Sequence, residues 1–521
     1  MPPTDLRRQD IAQLESHGIP VAEAERQLGV FANPPGPLHL ERACGLGDGI
    51  VGLGTGEQRQ CLEAFDAARV TRRITKFVPA SGAASRMFQA LLAMQSRRPV
   101  LSLADLTSLP PTGDTRDVEQ FFRELRRFAF FDALRQAARR NGFDVDADLA
   151  EGRIDRTLAV LLDPSQLGYA ALPKALVPFH AAPDGFRTAF DEHLAEAAGY
   201  AAQADGTCRL HFTVSPAHVD AFQRRLDTVR ASYESRYRVC YEVGFSTQKA
   251  STDTLAVDLD NRPFRLADGT LLLRAGGHGA LIENLNDLGG DIVFLKNIDN
   301  VAAEHLLPDT LHWKKVLAGH LCHTQTRLFA CVEALRTGAA APALQEALRF
   351  ARTELCLDFP DAVSAASPES LRALLLQRLD RPVRVCGMVR NTGEPGGGPF
   401  WVREPDGTLS LQVVERAQTD ASSAEQQRIF ANATHFSPVD FVCGVRSARG
   451  QAFDLTRYVD PSAVFIAEKS AEGRRLKALE RPGLWNGGMA GWITLFVEVP
   501  ISTFNPVKTV LDLLRPAHQP G

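Results

Sequence analysis

Residues 276–300 read Gly276-Gly277-His278-Gly279-Ala280-Leu281-Ile282-Glu283-Asn284-Leu285-Asn286-Asp287-Leu288-Gly289-Gly290-Asp291-Ile292-Val293-Phe294-Leu295-Lys296-Asn297-Ile298-Asp299-Asn300. Gly276, Gly277 and Gly279 permit a tight turn and close approach of the backbone to a ligand. Residues 280–288 make about two turns of helix, and Gly289-Gly290 stops it. Residues 291–295 form an apolar run suited to a buried strand, and residues 296–300 leave its C-terminal end. A helix that feeds a parallel strand through a tight turn runs antiparallel to it, so the helix N-terminus lies at the sheet edge where the strand ends. The amides near Gly279 and the carboxylate of Asp299 are therefore expected to face one cleft, where open α/β sheets bind ligands. Such amides suit phosphate, and a strand-end carboxylate can hold Mg²⁺. Taken alone, the segment fits equally well a structural unit in which Asp299 caps a helix and His278 is a satisfied turn histidine.

Working outward, residues 4–70 read as an N-terminal helical region, broken at Pro34-Pro35-Gly36 and at the glycines between 45 and 56. A strand follows at 74–79, then Ala80-Ser81-Gly82-Ala83-Ala84-Ser85-Arg86-Met87 and a helix through Met94. Residues 100–170 read as a helical insertion. Within it 118–141 forms one long amphipathic stretch with an apolar stripe of Phe121, Phe122, Leu125, Phe128, Phe130 and Leu134. Helix (184–202), strand (208–215), helix (216–233) and strand (237–246) then alternate, with a hairpin at 254–273. Residues 302–380 form a second helical insertion. Strands return at 383–389, 409–415, 441–445 and 493–499, before a C-terminal helix at 507–514. This alternation predicts an α/β fold, a Rossmann-like, mostly parallel sheet flanked by helices, spanning 71–521.

The chain has 521 residues, a length that suits about three domains or one large elaborated domain. Its 62 acidic and 58 basic residues give a net charge of −4. That balance argues against a nucleic-acid partner, so any bound anion must be held by local cations, metals or amides. No apolar run approaches the length of a membrane span. The first 15 residues lack an apolar signal core. Nine cysteines with no Cys-x-x-Cys pair suit reduced thiols, and the expected location is cytoplasmic.

Residues 274–300 resemble the corresponding stretch of eukaryotic-type UDP-sugar pyrophosphorylases, the UDP-glucose and UDP-N-acetylhexosamine enzymes. There a Pro-Gly-Gly/His-Asn/His-Gly turn precedes a helix and a strand ending in x-Asp-Asn. Other pieces fall in the same order. Ser81-Gly82-Ala83-Ala84-Ser85-Arg86-Met87 resembles the loop Gly-Gly-x-Gly-Thr-Arg-Met. Leu172-Pro173-Lys174-Ala175-Leu176 resembles a Pro-Lys motif. Leu411-Gln412-Val413-Val414-Glu415 is similar to a Leu-x-Leu-Val-Glu strand, and Arg428-Ile429-Phe430-Ala431-Asn432 to Ile-Phe-Asn-Thr-Asn. Phe504-Asn505-Pro506-Val507-Lys508, running on to Asp512-Leu513-Leu514, resembles Phe-x-Pro-Val-Lys-x-x-x-Asp-Leu-Leu. The matches span most of the chain but not the N-terminal region or the two insertions, as in a distant, bacterial-style branch.

The resemblance implies a nucleotidyltransferase fold of the GT-A-like kind. The implied reaction joins a nucleoside triphosphate, UTP foremost, to a sugar 1-phosphate with release of pyrophosphate. Arg86 and Lys174 would meet the triphosphate, and Lys508 the sugar phosphate. Ser81, Gly82, Ala83, Gly276, Gly277, His278 and Gly279 would approach the nucleotide. Glu415 and Asn432 would bind sugar hydroxyls, and Asp299 would hold Mg²⁺. The nucleophile is already an anion, so such chemistry needs positioning and charge neutralisation and no general base. The loop departs from the family at Ser81 and Ala84, which stand where glycines are usual. That departure supports a rival reading, a nucleotide- or sugar-phosphate-binding regulatory protein without turnover. His320 and His323, three apart on a helix, match no zinc spacing. Trp485-Asn486-Gly487-Gly488-Met489-Ala490-Gly491-Trp492 fits equally a cover for a sugar ring or a loop stapled by two tryptophans.

Overall fold

Strands rich in Val, Ile and Phe build the largest sheet, seen here in a computed structural model that describes residues 6–96, 102–108, 110, 112–183, 185–338, 340–393 and 396–521. The chain falls into two compact units. The first comprises Met1–Phe77, Ser246–Leu295 and Lys315–Ile501, and the second Val78–Phe245, Lys296–Lys314 and Ser502–Gly521.

In the first unit the central sheet runs in the order Gly45–Leu46, Gly49–Val51, Ile493–Glu498, Val383–Arg390, Asp440–Gly444, Ile292–Lys296, Ile74–Pro79. Val383–Arg390 is parallel to Ile493–Glu498 and antiparallel to Asp440–Gly444. Ile292–Lys296 is parallel to Ile74–Pro79, with Ile292 opposite Ile74. Strands buried on both faces read as unbroken apolar runs, and Ile292–Lys296 is buried throughout. Two smaller antiparallel sheets join it. One orders Leu273–Arg274, Thr254–Val257, Arg474–Glu480 and Phe465–Ala471; the other orders Leu40–Ala43, Gly398–Arg403 and Leu409–Val414. The expected second insertion is helical, with Leu307–Arg336, Ala341–Thr353 and Pro368–Leu379.

In the second unit the strands Thr207–Thr213 and Cys240–Ser246 are neighbours, joined through the helix Val219–Tyr237. Helix Ala189–Tyr200 is buried over nearly its whole length and is capped by Thr188, whose hydroxyl accepts the Asp191 amide. The expected stripe from Phe121 to Leu134 is core: its six members are at most 4% exposed.

Several boundaries differ from those read in the sequence. The region 4–70 is not wholly helical, since Leu40–Ala43, Gly45–Leu46 and Gly49–Val51 are strands between helices Val21–Ala32 and Thr55–Thr71. The stretch 118–141 is two helices, Gly113–Arg123 and Phe131–Arg140, around a short 3₁₀ turn. Phe128 and Phe130 both enter the core and stack at 5.0 Å, which a single helical face cannot offer to residues two apart. The helix expected from residue 184 begins at Ala189; Gly185–Thr188 is a strand, and residue 184 lies outside the described residues. The expected C-terminal helix is a 3₁₀ turn, Val510–Leu514, capped by Thr509, so Lys508 precedes the turn. The strand at 409 belongs to an antiparallel side sheet, not the central one. All nine cysteines are free thiols. No helix among the described residues is long and apolar enough to cross a membrane.

Candidate functional site

Four separated segments meet in the second unit. Beyond Pro79 the chain enters the 81–87 loop, where Ser81, Gly82, Ala83 and Arg86 are exposed and Ala84 is buried. The Ala84 amide donates to the Leu172 carbonyl at 2.9 Å, and the Lys174 amide to the Gly82 carbonyl at 3.0 Å. These bonds, with a bridge between Ala83 and Pro173, lay the two loops side by side. Lys174 opens a 3₁₀ turn. Its ammonium donates to Asp299 Oδ2 at 2.8 Å. Lys508 donates to the same oxygen at 3.3 Å.

Backbone bonds fix this meeting. The Val507 amide donates to the Asp299 carbonyl at 3.1 Å, and the Asn505 amide to Asn300 Oδ1 at 2.8 Å. The Asp512 carboxylate accepts the amides of Lys508 and Thr509, both at 2.7 Å. The Val510 amide donates to the Met87 carbonyl at 3.0 Å, tying the C-terminal segment to the first loop. Arg86 lines a small cavity of about 180 Å³ beside Thr509 and Val510.

Asp299 is 8% exposed. Burial works to raise its carboxyl, but the charges and hydrogen bonds of Lys174 and Lys508 outweigh that and hold it below the usual carboxylate range. One carboxylate and two ammonium groups leave the cluster with a net positive charge. Lys174 is nearly buried (13% side-chain exposure), whereas Lys508 is 58% exposed and able to turn toward a ligand. The arrangement suits an anion with several oxygens, such as a phosphate chain.

The remaining expected residues lie in the first unit. The turn glycines there answer to packing. A β-carbon at Gly276 would sit 2.6 Å from the Thr252 carbonyl oxygen, and one at Gly279 2.1 Å from that of Pro482. Gly277 has φ +78°. His278 accepts the Leu484 amide at Nδ1 and stacks on Trp485 with ring centres 4.2 Å apart. Burial pushes its pKa down to about 4, so the ring is neutral near pH 7. Burial raises the Glu415 carboxyl and Glu480 raises it further, outweighing the opposing influence of the nearby Trp485 indole. His278 and Glu415 thus both lie near Trp485, and Glu480 lies beside Gly277. Asn432 instead ends the helix Ala424–Ala431, exposed, with its amide on the Arg428 carbonyl. Trp485 was legible in the sequence only as one of two alternatives, and Glu480 carried no sequence signal.

Fold and site together define an α/β protein with a lysine-flanked carboxylate just beyond the end of a sheet strand. The chain belongs to the family described as Domain of unknown function (DUF4301), which matches residues 7–519. No curated protein matches it. Among solved structures the chain is similar to the uridine diphosphate N-acetylglucosamine pyrophosphorylase of Trypanosoma brucei, at 13% identity and a TM-score of 0.44, over 94% of this chain and 74% of that one. It is also similar to the UDP-glucose pyrophosphorylase of Leishmania major, at 12% identity and a TM-score of 0.42, over 97% and 77%.

Proposed function

We propose that this chain is a sugar-phosphate nucleotidyltransferase that joins a nucleoside triphosphate, UTP first among the candidates, to a sugar 1-phosphate. The observation that carries this reading is the Lys174–Asp299–Lys508 cluster, assembled from segments far apart in sequence and held by backbone bonds. In the proposed reaction a phosphate oxygen of the sugar 1-phosphate forms a bond to the α-phosphorus. The bond from that phosphorus to the α,β-bridging oxygen breaks, and its electron pair leaves with pyrophosphate. Lys174 and Lys508 would neutralise charge on the transferring and leaving oxygens. The Trp485–His278 stack with Glu415 and Glu480 offers what a sugar ring needs, an aromatic face beside carboxylate acceptors.

Among the described residues no group of three His, Cys, Asp or Glu could hold a metal. Mg²⁺ is commonly bound by one or two carboxylates, with substrate phosphates completing its shell. Asp299 would be the residue to hold the ion, and a bound Mg²⁺ would supply further charge neutralisation for the phosphates.

One observation favours the regulatory alternative. The Ala84 amide is already given to the Leu172 carbonyl, so the altered loop has one fewer donor for a phosphate. The test incubates the protein with Mg²⁺, each common nucleoside triphosphate and a panel of sugar 1-phosphates, and measures pyrophosphate. Turnover with at least one pair is expected, falling about 100-fold or more in Lys174→Met, as for loss of a preorganised charge donor. Nucleotide binding with no pyrophosphate from any pair would replace the enzyme with a binding protein.

A further inference from the structure

Of the five residues after the apolar run at 292–295, four make a contact with a distant segment, each of a different kind. The Lys296 ammonium turns inward and meets Glu196 Oε2 at 2.8 Å, with both side chains at most 2% exposed. The Ile298 carbonyl accepts from His193 Nε2 at 3.1 Å. Asp299 takes the two lysines, and Asn300 clasps Asn505. A carbonyl only accepts, so His193 carries its proton on Nε2.

His193, Glu196 and Tyr200 stand three and four residues apart on the helix Ala189–Tyr200, and so share one face. Glu196 Oε1 also accepts the Tyr200 hydroxyl at 2.9 Å. A buried ion pair can often be replaced by apolar side chains of similar volume with no loss of stability. Stability alone therefore gives little reason for one at the root of the Asp299 loop.

We propose that His193 and the Glu196–Lys296 pair are positioning residues, which act through residues 296–298 to hold the Asp299 carboxylate where Lys174 and Lys508 meet it. This rests on the reading of that cluster as a phosphate site. The helix supplies two anchors upstream of Asp299, and Asn300 supplies the one downstream. Loosening the upstream anchors leaves the lysines in place but lets their common partner drift.

The test uses the full chain in four forms: wild type, His193→Leu, His193→Gln, and the double variant Glu196→Leu/Lys296→Met. Leucine approximates the size of histidine without its donor, whereas the glutamine amide can still reach the Ile298 carbonyl. Calorimetry measures affinity for inorganic pyrophosphate, and crystal structures measure the Asp299–Lys174 separation. His193→Leu and the double variant are expected to bind pyrophosphate about 10-fold more weakly, the lower end of what supporting partners usually contribute at ligand sites. Their Asp299–Lys174 contact should open from 2.8 Å to beyond hydrogen-bond reach. His193→Gln should stay close to wild type in both readouts. Folded His193→Leu and double variants with unchanged affinity and an unmoved Asp299 would overturn the proposal, as would a glutamine variant no better than leucine. If His193→Leu does not fold, the double variant decides. If the wild type binds no pyrophosphate, the proposed function fails, and the displacement of Asp299 still decides the positioning role.

Discussion

At Gly279 a β-carbon would lie 2.1 Å from the Pro482 carbonyl oxygen, and backbone must move to admit it. Gly279→Ala is therefore expected to destabilise the chain by about 3 kcal/mol, the upper range for overpacking. At Gly82 a β-carbon meets nothing within 4 Å, and Gly82→Ala should stay within about 0.5 kcal/mol of wild type. Urea unfolding of both variants checks the contrast, and equal stabilities would remove the packing account of the 276–279 turn. The two lysines on Asp299 should separate in the same way. Lys174→Met strips the better-buried partner from a buried carboxylate, at about 3 kcal/mol. Lys508 is mostly exposed, so Lys508→Met should cost about 1 kcal/mol or less. The Asp299 carboxyl is depressed in the folded chain, so its contribution is present above the unfolded value near 3.8 and is lost as pH falls through the lower folded value. The gap between wild type and Lys174→Met should accordingly be full at pH 7 and shrink below about pH 4.

Helix Ala189–Tyr200 sets the supporting frame of the site. Its N-cap hydroxyl on Thr188 accepts the Asp191 amide at 3.2 Å, while Asp191 in turn accepts the Thr188 amide at 2.7 Å and pairs with Arg225. Thr188→Ala should cost about 1 kcal/mol in urea unfolding, as for a lost helix cap. A variant as stable as wild type would show that the Asp191 bonds suffice alone. The helix also shows where the sequence was readable. The change of period around 276–300 marked turn, helix and strand locally, and Lys174, Asp299 and Lys508 sat in motifs short enough to read. Strand partners were not readable. Leu409–Val414 pairs with Gly398–Arg403, which pairs in turn with Leu40–Ala43 some 360 residues earlier, and alternation alone cannot name such a partner. Glu196 was hidden for the same reason: its partner Lys296 is 100 positions away. The packing of the 276–279 turn was not readable either, because a glycine that admits a ligand and one that admits a neighbouring carbonyl look alike in sequence.

Over the whole molecule, three imidazoles share one electrostatic condition. Burial pushes His278 and His320 down to about 4, and burial with the neighbouring His180 pushes His518 to about 3. Unfolded, each would titrate near 6.5. Between those values the unfolded chain binds protons that the folded chain refuses, so stability rises with pH across that window and falls on acidification. Three such groups give a slope of up to about 4 kcal/mol per pH unit between roughly pH 6 and pH 4. Depressed carboxylates such as Asp299 act in the same sense, the unfolded chain again binding the extra proton, but only below about pH 4. The two sources are therefore separable by pH. Urea midpoints measured at pH 7.5, 6, 5 and 4.5 should fall steadily before Asp299 and the other depressed carboxylates titrate, and a variant such as His320→Asn should flatten that fall while leaving the midpoint at pH 7.5 less changed. A wild-type midpoint constant from pH 7.5 to 4.5 would mean that these rings titrate normally, and the neutral His278 stacked on Trp485 would lose its basis.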